Sequence, residues 1–253
     1  MSSFESSHAI WLPPENIHEK LLRDAAPLCV LVSAPMGGNK SKTNNTIIDF
    51  LDPYDRLAYG KYRHFSVSKT SRVARPGEVD GVHYDFEIPH SYFIDAYEKG
   101  LLLETDFHAG EFYGTPTPVG KDPVLIEIET RGFRTALRNK HPQAEIFRQN
   151  VIAIYIVQQK MAQLISQILE RPDTTISEEK KLARACRYAG ELQFILDHAL
   201  PYTCIENIEG DVMSAPISAV RVVAGDSEAP ILSEEIIKAV SYTHLTLPTN
   251  REV

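Results

Sequence analysis

Residues 27–51, PLCVLVSAPMGGNKSKTNNTIIDFL, decide the fold. Pro27–Ser33 is a short unbroken apolar run, the pattern of a strand covered on both faces. It leads into a glycine-bearing loop, and Lys40-Ser41 then opens a helix. That order is the context a phosphate-binding loop requires. Exposed backbone N–H groups and the positive end of the helix dipole point at phosphate. In such a loop Lys40 reaches the transferred phosphate and Ser41 holds a magnesium ion. Pro35, Met36, Gly37, Gly38, Asn39 and Lys42 complete the cradle. The match to Gly-x-x-x-x-Gly-Lys-Ser is imperfect, with Ala34 at the first glycine position and Asn39 at the second. Asn tolerates left-handed backbone better than most non-glycine residues, which suits Asn39 to the turn. Taken alone, the stretch also reads as a plain strand–turn–helix corner.

Two more stretches follow. FSVSKTSRVARPGEVDGVHYDF, residues 65–86, carries Arg72 and Arg75 beside Pro76-Gly77, a loop-forming pair. Two planar guanidinium forks on one loop can clamp an oxyanion. Ser68 and Tyr84 flank them with hydroxyls. A solvated basic loop is the other reading. LLLETDFHAGEFYGT, residues 101–115, puts Glu104 at the end of an apolar run and closes on Tyr113-Gly-Thr115. A carboxylate there must find donors or suffer desolvation. Pairing with a nearby arginine would be a purely structural solution.

Further along, PVLIEIE (123–129) and NVIAIYIV (150–157) read as buried strands, with a helix from Arg131-Gly132 to about Lys140 between them. Gln159–Arg171 and Asp173–Ala199 read as helices, and YTCIE (202–206) as the last strand. Strands alternating with helices indicate a parallel α/β sheet. Ser233–Val240 reads as the closing helix. Residues 1–25 read as an extension, with a short amphipathic helix at Ile17–Arg23. SYTHLTLPTNREV, 241–253, breaks the pattern and is expected to be a non-native tail outside the fold.

Composition bounds the function. The 253 residues are 43% hydrophobic, enough for one large domain, and carry a net charge of −8. So acidic a chain is a poor nucleic-acid partner, because phosphate neutralisation needs clustered lysine and arginine. A local basic pocket suits a small anionic ligand instead. Cys29, Cys186 and Cys204 show no paired metal spacing and read as buried reduced thiols. With no apolar run near ~18 residues, no membrane partner is expected.

The features together resemble the guanylate kinases. The resemblance rests on the phosphate loop, then Ser68-x-x-x-Arg72-x-x-Arg75-x-Gly77-Glu78-x-x-Gly81-x-x-Tyr84. It continues with Glu104 nine residues before Tyr113-Gly-Thr115 and a strand bearing acidic residues, and spans about residues 27–210. It implies a three-layer P-loop kinase core over residues 26–240, with a GMP-binding insert at about 62–120 and a helical lid at 159–190. It implies ATP and GMP as small-molecule substrates, Mg2+ with ATP, and a cytoplasmic enzyme making ADP and GDP. Arg72, Arg75, Tyr84 and Tyr113 match the residues that hold the GMP phosphate. Ser68, Glu104 and Thr115 match those that read guanine. Glu78 belongs to the same pattern, in a place suited to holding the loop. Guanine offers N1–H and N2–H donors side by side to one carboxylate, and adenine has no N1–H.

On the ATP side, Glu127 and Glu129 stand where the resemblance implies two magnesium-side aspartates. Arg184, with Lys40, Arg72 and Arg75, falls among the catalytic cations, and Arg171 is the nearest match to a second lid arginine. Arg187 is assigned no role. The departures at Ala34, Asn39, Glu127 and Glu129 all fall on the ATP side. They leave an alternative: a catalytically impaired domain that binds GMP or phosphopeptides as a scaffold.

Overall fold

The computed structural model describes residues 28–35, 38–51, 65–108, 110–120, 122–160 and 177–245, without the side chains of 178–186, 189 and 243–245. The expected N-terminal extension, Met36 and Gly37, the Gln159–Arg171 helix beyond Lys160, and residues 246–253 lie outside these.

Among the described residues, seven strands and seven helices follow in chain order. They are β1 (Cys29–Ser33), α1 (Lys40–Leu51), β2 (Lys69–Thr70), α2 (His90–Glu98), β3 (Leu102–His108), β4 (Glu111–Pro116) and β5 (Val124–Ile126). Then come α3 (Thr130–Arg138), α4 (Pro142–Asn150), β6 (Val151–Val157), α5 (Glu178–Asp197), β7 (Tyr202–Glu206), α6 (Ser214–Val223) and α7 (Glu234–Leu245).

β5, β1, β6 and β7 form a parallel sheet in that order. Successive side chains of a strand point to opposite faces, so each strand feeds two cores. Val30, Val32, Ile154 and Ile156 pack with Ile47 and Ile48 of α1 and Ala215, Ala219 and Val220 of α6. Cys29, Leu31, Tyr155 and Val157 pack on the other face, with Phe133 of α3, Phe147 of α4, Tyr188 and Leu192 of α5, and Ile237 of α7. Helices on both faces of one sheet make the three layers. The strand order reverses beside β1, and ligands of such sheets collect outside the carboxyl ends of the strands there.

A second sheet, antiparallel and ordered β2-β4-β3, is inserted between α1 and β5. Helix α2 covers one of its faces through Phe93, which stacks on Phe112 with centroids 5.3 Å apart. The amide of buried Asn139 fastens the insert to the core, donating to Leu102 O at 3.2 Å and Leu103 O at 3.0 Å.

Several boundaries differ from the sequence reading. β5 stops at Ile126, because Glu127–Glu129 turn the chain into α3. Three helices went unread. α4 carries its own start signals, Pro142 in the first turn and His141 Nδ1 accepting from Gln143 N at 3.3 Å. α6 holds Pro216 in its first turn, where no helical N–H is required. α2 follows Pro89 and lacks a side-chain cap.

The closing helix also runs further than expected. It continues past Val240 to Leu245. Ile237, Val240 and Ser241 make one stripe at helical spacing. Ser241 is 1% exposed, and its Oγ donates to Gln193 Oε1 on α5 at 3.4 Å. At least the first residue of the supposed tail is therefore part of the packed structure. Ending the chain at Val240 should lower Tm by several degrees in a thermal melt, since in a chain of this size ~1 kcal/mol corresponds to about 2–4 °C. An unchanged Tm would return Ser241 to the tail.

Candidate functional site

Two clusters of polar side chains stand at the carboxyl end of the parallel sheet and on the inserted sheet. The first follows β1. Gly38 N donates to Pro35 O at 2.9 Å, and a Cβ on Gly38 would lie 2.9 Å from that same oxygen, so only glycine fits. Asn39 comes next with φ 64°, the left-handed geometry its position was expected to need. Its side chain does not fill the loop. Nδ2 donates to Val212 O at 2.9 Å and lies 3.5 Å from Asn207 Oδ1, tying the loop to the segment between β7 and α6. Asn39 O then accepts from Thr43 N at 3.1 Å, which starts α1.

Lys40 opens that helix with its Nζ 3.5 Å from Glu127 Oε2. Asn44, one turn later, donates through Nδ2 to the other oxygen of Glu127, and its buried Oδ1 has no partner among the described residues. Ser41 and Lys42 are exposed at the helix start. Glu129 does not join the Lys40–Glu127 pair. It is exposed at the N-cap of α3, makes no capping hydrogen bond, and is felt electrostatically at Glu104 and Glu191. The two glutamates are thus not equivalent.

The second cluster is the arginine loop. Arg72 is 8% exposed and forks onto Glu78, Nη1 to Oε2 at 2.6 Å and Nη2 to Oε1 at 2.8 Å. The same carboxylate accepts from Arg75 N at 2.7 Å. Arg72 lies over the rings of Tyr84 and Phe86, 5.0 and 5.1 Å from their centroids, and its buried Nε has no partner among the described residues. The Arg72 hydrogen bonds pull the Glu78 carboxyl down to about 2. Glu78 therefore closes the loop, as its place in the pattern suggested. Arg75 is exposed, and its guanidinium makes no hydrogen bond or ion pair among the described residues. The two arginines are not an equal clamp: one is fixed by a carboxylate and two rings, the other is free.

Across the inserted sheet, Glu104 of β3 pairs directly with Thr115 of β4, and Thr115 Oγ1 donates to Glu104 Oε1 at 2.6 Å. Glu104 is 5% exposed, and no cation pairs with it among the described residues. Burial pushes its carboxyl up to about 7, with the charges of Asp106 and Glu129 adding to the rise. Gly132 makes room for it, since a Cβ there would stand 3.2 Å from Glu104 Oε2 and 2.5 Å from Ile128 Cγ2. Tyr113 lies two residues before Thr115 with its ring edge-on to Tyr84, 6.0 Å between centroids. Ser68 is half-buried just before β2, and its carbonyl accepts from Asp85 N at 2.9 Å.

Arg184 lies on α5, with its side chain outside the described residues. Further along that helix, Glu191 accepts from Tyr155 Oη at 2.8 Å. Burial raises the Glu191 carboxyl, while that hydrogen bond and the charges of Arg187 and Lys40 oppose the rise. Arg187, given no role from sequence, is exposed one turn before Glu191 on the same helix. Asn44 and Gly132 were also missed. A period of four from Lys40 could have found Asn44. Nothing local marks Gly132, whose neighbour Glu104 is 28 positions away.

The family model for guanylate kinase matches residues 26–197. A guanylate kinase of Mesoplasma florum is 30% identical over 220 residues, covering 83% of this chain and 66% of that one. One from Synechococcus is 37% identical over 130 residues, 48% of this chain and 55% of that one. The chain thus spans between about half and two thirds of these relatives' length. A crystal structure of guanylate kinase from Anaplasma phagocytophilum superposes with a TM-score of 0.49 at 21% identity, over 87% of this chain and 97% of that one.

The Arg72–Glu78 pair sets a pH signature. The Glu78 carboxyl is lowered in the folded chain from an ordinary 4.5 to about 2. Its stabilisation is therefore present above about pH 4.5 and lost as pH falls through 2. Glu78→Gln should be less stable than wild type at pH 7 in urea denaturation, with the gap closing between about pH 4.5 and 2. A gap that stayed constant with pH would remove the charge from the account.

Proposed function

The chain belongs to the guanylate kinase family, and on that premise we propose that it transfers the γ-phosphate of ATP to GMP, giving ADP and GDP. The observation that carries this reading is the buried Glu104–Thr115 pair beside the arginine loop, a carboxylate with no countercharge among the described residues. Such a group is costly unless a ligand supplies donors. Guanine supplies two, N1–H and N2–H, and Ser68 and Thr115 flank them with hydroxyls. Adenine would leave the carboxylate unpaired.

The phosphate of GMP falls to Arg75, Tyr84 and Tyr113, with Arg72 held ready by Glu78. One of its oxygens attacks the γ-phosphorus as the bond to the β,γ-bridging oxygen breaks, and ADP leaves with that electron pair. The attacking phosphate is already anionic, so no general base is needed. Lys40 and Arg184 offset the charge spread over the transferring group, and positioning does most of the rest. Pro35, Met36, Gly37, Gly38, Asn39, Ser41 and Lys42 cradle the ATP phosphates.

A magnesium ion bound with ATP adds charge neutralisation at the phosphates. Among the described residues no group of three or more His, Cys, Asp or Glu could hold a metal by itself. Magnesium on a nucleotide takes most of its oxygens from phosphate and water, so Ser41 and Glu127 suffice as protein donors, the latter held in place by Asn44. No helix among the described residues is long and apolar enough to cross a membrane. The buried cysteines Cys29 and Cys204 support a reducing compartment, the cytoplasm.

The scaffold alternative rests on the ATP-side departures at Ala34, Asn39, Glu127 and Glu129. An Asn39 side chain engaged with Val212 O supports a loop that still takes phosphate. Asn39→Gly should therefore not raise kcat/KM for ATP; a tenfold rise would mean that Asn39 obstructs the loop. A coupled assay of ADP formation with GMP, AMP, CMP and UMP tests the whole reading. Turnover should favour GMP by up to ~10⁴–10⁵. GMP bound without turnover would favour the scaffold, and no GMP binding at millimolar concentration would defeat both.

Glu104 adds a pH test. Its carboxyl is raised to about 7 in the free protein, and guanine needs the charged form. GMP affinity should therefore rise with pH from about 5.5 and level off above about 7. Glu104→Gln, titrated alongside, should show only the titration of the GMP phosphate near pH ~6. Identical profiles would remove Glu104 from base recognition. Folding stability runs the other way, since a raised carboxyl stabilises the fold at low pH and loses that contribution as pH rises through 7.

A further inference from the structure

The inserted sheet carries one more carboxylate on the same face as Glu104. From Glu104 to His108 the β3–β4 register is regular, and its only irregularity lies between Leu102 and Glu104. Side chains at i and i+2 of a strand share a face, so Asp106 stands beside Glu104, and their electrostatic coupling agrees. Directly across β4, Glu104 pairs with Thr115 and Asp106 pairs with Tyr113. The opposite face is occupied: Phe107 and Phe112 pack together at 4.8 Å, and Phe93 of α2 stacks on Phe112. Glu104, Asp106, Tyr113 and Thr115 therefore line the other face, buried at Glu104 and Thr115 and exposed at Asp106.

Asp106 is exposed and has no hydrogen bond or ion pair among the described residues. Its charge does the fold no service, since it opposes ionisation of Glu104. Its position gives it a use. Under the reading above, the base lies at Glu104 and Thr115 and the phosphate at Tyr113, Tyr84 and the arginines. The group between them is the sugar. Asp106 lies one same-face step from Glu104, about 6.6 Å along the strand, comparable to the span from the Watson–Crick edge of a purine to its ribose. A carboxylate is an acceptor only, and ribose hydroxyls are donors without charge. The same pairing of an acidic side chain with a ribose 2′-hydroxyl serves dinucleotide-binding folds.

We propose that Asp106 accepts a hydrogen bond from the ribose 2′-hydroxyl of the acceptor nucleotide and makes the site prefer GMP over dGMP. The inference rests on the assignment of guanine to Glu104, and the test separates the two. Calorimetric Kd and kcat/KM are measured for GMP, dGMP and AMP with the full chain, Asp106→Ala and Asp106→Asn. Wild type should bind GMP about tenfold more tightly than dGMP, the worth of one charge-assisted hydrogen bond. Asp106→Ala should bring that ratio to about one, and Asp106→Asn, which keeps an acceptor oxygen, should retain part of it.

The ratio is the decisive readout. Removing a negative charge near Glu104 and the phosphate shifts both nucleotides alike, and only a contact to the 2′-hydroxyl separates them. Equal affinity of wild type for GMP and dGMP, or a ratio unchanged in Asp106→Ala, overturns the role of Asp106 while GMP-over-AMP selectivity stands. Loss of GMP-over-AMP selectivity in wild type overturns the base assignment, and this inference with it.

Discussion

Two parallel ladders converge on Cys29–Ser33, one to β5 and one to β6, and Cys29, Val30, Leu31 and Val32 retain no exposed surface. A strand so enclosed leaves its carboxyl end only one direction, out of the sheet and into the loop before α1. The site depends on that exit. Ser33 Oγ donates to Ile128 O and shares a hydrogen bond with Tyr202 Oη, each at 3.0 Å, so the end of β1 is also pinned to the turn after β5 and to β7. Lys40, Glu127 and the Asn39 tie all stand within this pinned region. Loosening β1 would move both halves of the phosphate side at once.

The two acidic groups of the acceptor side meet burial in opposite ways. Glu78 takes a planar arginine fork and a backbone N–H, and its carboxyl falls to about 2. Glu104 takes its hydrogen bonds from Thr115 alone among the described residues, and its carboxyl rises to about 7. The first is a finished structural element, with its charge satisfied before any ligand arrives. The second has no charged partner among the described residues, and Gly132 leaves room beside it. Buried polar groups that the fold leaves partly unmet are where ligand chemistry is expected.

Asn39 shows how a residue with a side chain meets a backbone geometry that favours glycine. The backbone adopts the left-handed φ that glycine would give, and the side chain finds an acceptor on a neighbouring segment. The strain of that conformation for a residue with a Cβ is met by a tie that glycine could not make. Gly38, one residue earlier, has no such freedom, because the Pro35 carbonyl occupies the space a side chain would need.

The sequence by itself determined the parallel α/β core and the cast of polar residues. An unbroken apolar run such as CVLVS admits little other than a buried strand, and the spacing of Arg72, Arg75, Glu78 and Tyr84 survives in one loop because those residues are local. Glu104 and Thr115 were grouped only by the family resemblance, and the hairpin that pairs them came with the structure. Tertiary structure alone decided which groups are spent and which are free. Arg72 and Arg75 look alike along the chain, yet burial against Tyr84 and Phe86 commits only the first to Glu78. Glu127 and Glu129 look alike too, and only the turn into α3 turns one toward Lys40 and leaves the other exposed. The extent of α7 and the room Gly132 leaves for Glu104 likewise come from contacts between distant segments. Local propensity and motif spacing carry no record of such contacts, because burial and electrostatics depend on what the rest of the chain brings alongside.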